Sequence, residues 1–486
     1  MNEHSVPREA AIAAIERQFW SMHAASRAQE PLAAAGRKAL LRSLRDMIVN
    51  RTEDFAQAIA SDFGWRSHDE TRMAEIVPSL TIIQQALKNV GRWMRAERRG
   101  TAFYFWPARN RVYWQPKGVV LIISPWNYPL QLTTGALTAA LAAGNRVIVK
   151  PSEFAPATAG LLKRQLEAAL GPERVHVALG GADVAEALCR LPFDHILFTG
   201  SAAVGKLVMQ AAAGNLTPVT LELGGKSPAI VHGDFDHGVA AERIARGKLL
   251  NAGQTCIAPD YALVRRDRIE DFVDRYREAV VRFYPHLVDN PDYTSIINER
   301  HYRRLVNLAG DARAKGARVV TIDPAGELGP GEIGASNARK MLPALVVEPA
   351  LDIEAMREEI FGPILPVVAY DTVEDAIRFV NERPRPLALY YFDADSRRTR
   401  AVIERTVSGD ASINDTIFHA AQEDLPFGGV GASGMGAYHG HEGFRTFSHA
   451  KGVFHQARWS FANLVAPPYG DRFRWLVRMA IRLNRS

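Results

Sequence analysis

The hydrophobic rhythm of the chain changes twice. Over residues 7–98, apolar side chains recur at helical spacing, as in Leu40, Leu41, Leu44 and Ile48 and again in Ile76, Leu80, Ile83 and Leu87. Residues 101–115, TAFYFWPARNRVYWQ, break that rhythm. They are aromatic and β-prone about a Pro-Ala-Arg-Asn turn, which predicts a hairpin. Such a hairpin would cover a sheet edge, extend into a partner subunit or line a substrate entrance. From Gly118 onward, short apolar runs alternate with helical stretches. GVVLIIS (118–124), RVIVK (146–150), 175–179 and 195–199 read as strands, and 129–144 and 156–170 as helices between them. This βαβαβ series predicts a doubly wound parallel sheet, which binds ligands at the carboxyl ends of its strands. Asn127, Lys150, Gly200 and Ser201 fall there. A second α/β unit is expected over 224–415, with YALV, LVV, ILPVV and LALYYF as strands and 268–283 and 299–314 as helices. The glycine-rich PFGGVGASGMG (426–436) lacks phosphate-cradle spacing and reads as a tight structural crossing.

With 486 residues, the chain exceeds one ordinary core, so two or more domains are expected. Hydrophobic content of 47% and charged content of 23% are those of a soluble globular protein. Two cysteines exclude a disulfide framework and suit a reducing cytoplasm, the expected location. Glu3, Arg8, Glu9, Glu16 and Arg17 leave no apolar secretion segment, and no run of apolar residues is long enough to span a membrane. A net charge of +6 is too small for a nucleic-acid footprint. Part of it is local, in Arg92, Arg95, Arg98 and Arg99 and in Arg472, Arg474, Arg478, Arg482 and Arg485. Both clusters read as solvated faces. The alternative for the tail is a short basic amphipathic helix in weak contact with an anionic membrane.

Five stretches carry candidate chemistry. NAGQTCIAPD (251–260) puts Cys256 on a loop, where a thiol reaches a substrate. A small buried hydrophobe is the competing reading. LELGGKSP (221–228) sets Glu222 between leucines, an environment that raises a carboxyl pKa and suits a general base. SPWNYP (124–129) holds Asn127, whose amide is a donor for a developing oxyanion or simply a turn residue. KPSE (150–153) offers Lys150 and Glu153 to ribose hydroxyls or to solvent. FTGSAAVGK (198–206) joins a strand to a helix whose N-terminus favours a pyrophosphate. Its glycines, Gly200 and Gly205, match neither the dinucleotide fingerprint nor a Walker loop.

SPWNYP, KPSE, FTGS, LELGGKSP, GQTC, EEIFGP and PFGG occur here in the order found in the aldehyde dehydrogenase superfamily, which the chain resembles over nearly its whole length. SPWNYP and GMGAYHG (434–440) resemble the class-3-like branch. Within it NPDYTSIINERHYRRL (290–305) and NERPRPLALYYF (381–392) look most like the coniferyl aldehyde dehydrogenases. The resemblance implies an α/β fold with a Rossmann-type nucleotide domain (1–222), a catalytic domain (223–415) and a small β oligomerisation arm. Residues 416–486 would return to the nucleotide domain and add an arm strand near 445–455. It further implies Cys256 as nucleophile, Glu222 as general base, and Asn127 with the Cys256 N–H as oxyanion hole. Trp126, Lys150, Ser152, Glu153, Gly200, Ser201, Gly205, Glu359 and Phe361 would hold the cofactor, NAD, with NADP the alternative. The expected partners are a small aldehyde and a second copy of the chain, with no nucleic acid and no metal. Coniferaldehyde or a related aromatic aldehyde is the expected substrate, and Trp65, Trp126 and Phe418 are candidate pocket aromatics. Medium- or long-chain aliphatic aldehydes remain the rival. A CoA-acylating enzyme would not need Glu222, and a non-catalytic scaffold would not need Cys256, Glu222 and Asn127 together.

Overall fold

Val119–Ile123 and Arg146–Lys150 are buried at every position, as strands covered on both faces must be. They lie side by side in a six-stranded sheet of the computed structural model, which describes residues 8–102, 105–329, 331–460 and 466–484. Across this sheet the order is Gly434–Met435, Val219–Leu223, His195–Gly200, Val119–Ile123, Arg146–Lys150, Val175–Val177. All pairs are parallel except that of Gly434–Met435, so the βαβαβ reading holds. The order reverses between Val119–Ile123 and His195–Gly200, the switch point at which such sheets open a ligand crevice.

A seven-stranded sheet runs Arg318–Thr321, Ala344–Val347, Ile364–Tyr370, Tyr261–Arg265, Pro228–Val231, Ala388–Phe392, Asp410–Ile413. Only Arg318–Thr321 is antiparallel. The chain passes from Val219–Leu223 of the first sheet to Pro228–Val231 of the second through Gly224, Gly225, Lys226 and Ser227. That short crossing sets the carboxyl edge of one sheet against the amino edge of the other. The glycine-rich segment is the tight crossing its composition suggests. Gly434, at φ 139°, sits opposite Glu222, and any Cβ there would collide with the Leu221 carbonyl.

The helical periodicity of the first hundred residues is realised in Ala34–Asn50 and Val77–Trp93. Their Leu41, Leu44, Ile48, Ile83 and Leu87 enter the core beneath the first sheet. The expected hairpin is shifted. Its strands are Glu97–Arg99 and Arg109–Pro116, and the aromatic stretch makes the connection instead of a strand. The connection is held by the Trp106 indole, which donates to Thr101 O at 3.1 Å, and by Phe105 packed edge-on against Phe454. Residues 103 and 104 of that stretch lie outside the described residues. Ser448–His455 pairs along the whole of Arg109–Pro116 and completes a three-stranded arm. The arginine-rich tail forms the helix Asp471–Leu483, while Arg485 lies outside the described residues. Among the described residues no helix is long and apolar enough to cross a membrane.

Candidate active site

Cys256 follows the helix His237–Leu249 through a turn with Asn251 and Ala252 at φ 53° and 50°, left-handed values uncommon outside glycine. Several hydrogen bonds hold that conformation. Asn251 Nδ2 donates to the carbonyls of Asn127 and Gln254, both at 3.1 Å. Gln254 Nε2 donates to Asn251 O at 3.0 Å and Ser295 O at 3.1 Å, and its Oε1 accepts from the Ile297 N–H at 3.0 Å. Asn127 Nδ2 donates to Gln254 O at 3.1 Å, and the Tyr128 and Thr255 hydroxyls meet at 2.7 Å. The SPWNYP and NAGQTC loops, distant in sequence, are thereby joined.

Beneath them lies a buried ionic cluster that no sequence motif announced. Arg66 is fully buried. Its Nη1 donates to Glu75 Oε1 at 2.7 Å and Asn127 O at 3.1 Å, and its Nε donates to Glu70 Oε1 at 3.1 Å. Glu75 Oε2 accepts the N–H groups of Leu130 and Gln131, and Glu70 Oε2 that of Asn251. The guanidinium lies 4.9 Å from the centre of the Tyr128 ring. One arginine and two glutamates thus tie the N-terminal helices to both loops. The four-residue spacing of Arg66 and Glu70 was the available cue, but such pairs are usually solvent-facing.

A cavity of about 490 Å³ opens between the two sheets. The first sheet contributes Trp126, Asn127, Gly200, Ser201 and Glu222, all at or just beyond its carboxyl edge. The second contributes Cys256 and Glu358, Glu359 and Phe361, all ahead of its strands. Of the twelve residues singled out for catalysis or cofactor binding, Cys256, Glu222, Asn127, Trp126, Gly200, Ser201, Glu359 and Phe361 line it. Lys150, Ser152, Glu153 and Gly205 do not. Lys150 Nζ is buried, bonded to Pro151 O at 2.9 Å and to Glu153 Oε2 at 3.1 Å. Its loop reaches the cavity wall through Phe154, whose ring lies edge-on to His301 at 6.2 Å. Gly205 serves packing, since a Cβ there would come within 2.7 Å of Leu223. Trp65 and Phe418 are exposed and away from this cavity. The Trp65 indole bonds Pro291 O, and Phe418 lies under Arg246.

His301 and Arg304, on the helix Glu299–Ala314, also line the cavity. They sit inside a stretch noted only for its resemblance. Arg304 donates to the carbonyls of Glu359 and Ile360 and so anchors the EEIFGP loop. Phe361 is held at φ 53°, its ring 5.4 Å from Trp126 and nearly perpendicular to it. A strained aromatic at a cavity is a mark of function that sequence alone does not expose.

The electrostatics single out four groups. Both Glu222 oxygens are buried and have no hydrogen-bond partner among the described residues. Burial, reinforced by Asp410, holds that carboxyl well above its ordinary range. Glu359 likewise has an unpartnered Oε1, and burial with Asp260 pushes its pKa up to about 8. Burial, then the Glu359 and Glu222 carboxylates, push the Cys256 thiol up to about 12. His301 is kept neutral, pushed down to about 4 by burial and by Arg304 and Arg300. Gly224 leaves room for Glu359, because any side chain there would strike its carboxylate. A thiol, an unpartnered carboxyl and an amide N–H therefore share one cavity with an aromatic wall and a helix N-terminus.

A match to the aldehyde dehydrogenase family covers residues 5–453. A probable coniferyl aldehyde dehydrogenase of Pseudomonas aeruginosa is 52% identical over 463 residues, 95% of each chain. The 4,4'-diaponeurosporen-aldehyde dehydrogenase of Staphylococcus aureus is 39% identical over 95% of this chain and 98% of its own. The substrate-bound structure of Staphylococcus aureus AldH superposes with a TM-score of 0.90 at 38% identity, covering 96% of this chain and 99% of that one. A Cys256 cavity between two α/β sheets, with that match spanning almost the entire chain, means that the protein belongs to the aldehyde dehydrogenase family.

Proposed function

We propose that this NAD(P)-dependent aldehyde dehydrogenase oxidises coniferaldehyde, or a closely related aromatic aldehyde, to the carboxylic acid with NAD preferred. The observation that carries the chemistry is the convergence of Cys256, Glu222 and Asn127 on one cavity. Support for the substrate comes from the 52% identical relative, which is named for that aldehyde.

Cys256 passes its thiol proton to water and attacks the aldehyde carbon, the C–S bond forming as the carbonyl π bond opens to an oxyanion. The resulting oxyanion accepts from Asn127 Nδ2. One hydrogen of that amide is engaged by the Gln254 carbonyl, which leaves the other to donate. The Cys256 N–H is the second donor. A fixed donor of this kind is worth about 3–4 kcal/mol in the transition state. When bound, the nicotinamide supplies the acceptor for the hydride that leaves the former aldehyde carbon. Glu222 then takes a proton from water as the oxygen attacks the Cys256 thioester. The C–S bond breaks, and the acid and the thiol are released. A carboxyl held above its ordinary range is matched to this work near neutral pH.

The residues around the cavity fit the cofactor. The helix Ala202–Ala213 begins at Ser201, whose hydroxyl caps it, so Gly200 and Ser201 receive the pyrophosphate. Glu359 takes the nicotinamide ribose with its unpartnered oxygen, and Trp126 and Phe361 flank the ring. Lys150, Ser152 and Glu153, beside the cavity, hold the adenosine ribose. The exposed Glu153 carboxylate disfavours a 2′-phosphate, which supports NAD over NADP. Gly205 sets how closely that helix lies on Leu223. The chain divides into a nucleotide domain (1–222), a catalytic domain (223–415) and a returning segment. Its three-stranded arm joins two copies as a homodimer.

A second reading, an aliphatic aldehyde substrate, keeps every residue role. It is favoured by the Staphylococcus aureus relative, named for a different aldehyde. Steady-state oxidation of coniferaldehyde and hexanal, each with NAD and NADP, separates the two. A kcat/KM preference for coniferaldehyde of about tenfold, near 1.4 kcal/mol, supports the first reading. A preference for hexanal replaces it with the second.

A further inference from the structure

The helix Asp471–Leu483 lies beyond the family match, which ends at residue 453, and among the described residues its apolar face is covered only at Phe473, by Tyr469. Phe473, Leu476, Val477 and Ala480 recur at i, i+3, i+4 and i+7 and so form one stripe. Arg474, Arg478 and Arg482, spaced four apart, form the opposite stripe. Met479 lies at the boundary beside Arg472, and Trp475 lies beside Arg482. In a folded protein such a stripe normally packs inward. Here every described side chain on the helix except Phe473 is exposed. Trp475 is 55% exposed, Ile481 51%, Met479 39%, and Leu476 and Val477 38% each. Of the four arginines, only Arg474 has a carboxylate partner among the described residues, Asp471 at 3.4 Å.

We propose that this helix docks the enzyme on the surface of an anionic lipid bilayer, lying in the plane of the headgroups. Three features select that occupant. An uncovered apolar stripe requires an apolar medium on one side only. Arg472, Arg478 and Arg482, which meet no carboxylate among the described residues, suit anions on the other side, and they are spread along the helix as a field of headgroups would require. A helix of 13 residues is too short to span the roughly 30 Å hydrocarbon core, so it rests at its surface. The helix is outside the catalytic machinery, so docking and turnover are separable, and the proposal stands whichever aldehyde is oxidised.

The test is co-sedimentation of the full chain with vesicles of phosphatidylglycerol and phosphatidylcholine in equal parts, and with vesicles of phosphatidylcholine alone. At low salt the anionic vesicles bind at least about tenfold more protein, and about 0.5 M salt removes most of the difference. The Leu476→Glu/Val477→Glu variant and the Arg478→Glu/Arg482→Glu variant each lose this binding while oxidising aldehyde in solution at the wild-type rate. No binding to anionic vesicles, equal binding to both vesicle types, or retained binding by the glutamate variant of the apolar stripe overturns the proposal. Light scattering provides the remaining outcome. If the Leu476→Glu/Val477→Glu substitution dissociates the native oligomer, the stripe is occupied by a second copy and the membrane proposal fails.

Discussion

Cys189 and Cys256, the two cysteines of the chain, differ in a way that shows where the reactivity lies. Cys189 ends the helix Ala182–Cys189, 2% exposed, in a cluster with Leu188 and Phe193. Cys256 faces the cavity between the sheets. Burial raises both thiols, Cys189 to about 11 with help from Glu186, and Cys256 to about 12 with help from Glu359 and Glu222. Neither is a ready thiolate, so acidity does not distinguish them. Surroundings do. Cys256 faces a cavity that also holds the unpartnered Glu222 carboxyl and the Asn127 amide, while Cys189 packs among Leu188 and Phe193 with Glu186 nearby. On the proposed mechanism the thiol gives up its proton as the carbonyl arrives, since burial favours the protonated form at rest.

The sharpest way to break this contrast is to remove each thiol. Cys256→Ala should lower kcat more than about 1,000-fold, because no other group forms the covalent intermediate. Next is the ionic cluster below the loops. Arg66→Ala leaves Glu75 buried without its cation and should cost about 3–5 kcal/mol in urea unfolding. Asn127→Ala should slow turnover by about 100- to 1,000-fold with little change in thermal midpoint, since it removes an oxyanion donor and spares the Arg66 contact to the main-chain carbonyl. A normal rate in that variant would leave the oxyanion to the backbone alone.

Smaller effects come from pH. On the proposed mechanism Glu222 must lose its proton to act, and burial holds its carboxyl well above the ordinary range, so kcat should rise with pH above that range. Glu222→Gln should remove that limb. The same burial has a stability sign. Glu359 and Glu423 are raised to about 8, so the protonated forms favour the fold. Their contribution is complete below the unfolded carboxyl pKa of about 4.3 and is lost as pH rises through about 8. The thermal midpoint should fall between about pH 4.3 and 8, and Glu423→Gln should flatten that fall. The smallest change is Cys189→Ala, which should leave kcat/KM within about twofold and cost about 1 kcal/mol of stability. A large loss of activity there would collapse the distinction between the thiols.

Much of the fold was legible because strand and helix periods differ and buried parallel strands read as unbroken apolar runs. Val119–Ile123, Arg146–Lys150 and His195–Gly200 were all visible that way. The arm was half legible. Aromatic residues favour strands, but Phe105 and Trp106 are used in a connection because Phe454 and the Thr101 carbonyl offer them partners. Cys256, Glu222 and Asn127 stood out by residue type, loop position and resemblance. Their convergence did not, because it depends on how two sheets meet across four residues. Strand-end logic also covers only the first sheet, whereas Cys256 and Phe361 stand ahead of strands in the second. Arg66, Glu70 and Glu75 were invisible because nothing in their spacing says that they are buried. The left-handed backbone of Asn251, Ala252 and Phe361 leaves no trace in side-chain patterning.

The central claim is that Cys256 carries the acyl group and Glu222 releases it. It is tested most directly by mixing the Glu222→Gln variant with coniferaldehyde and NAD, quenching in acid and weighing the intact protein and its Cys256 peptide. The account predicts a burst of about one NADH per site followed by a stall, with the acyl mass retained on Cys256. Steady turnover with no adduct, or an adduct on any other residue, would contradict it.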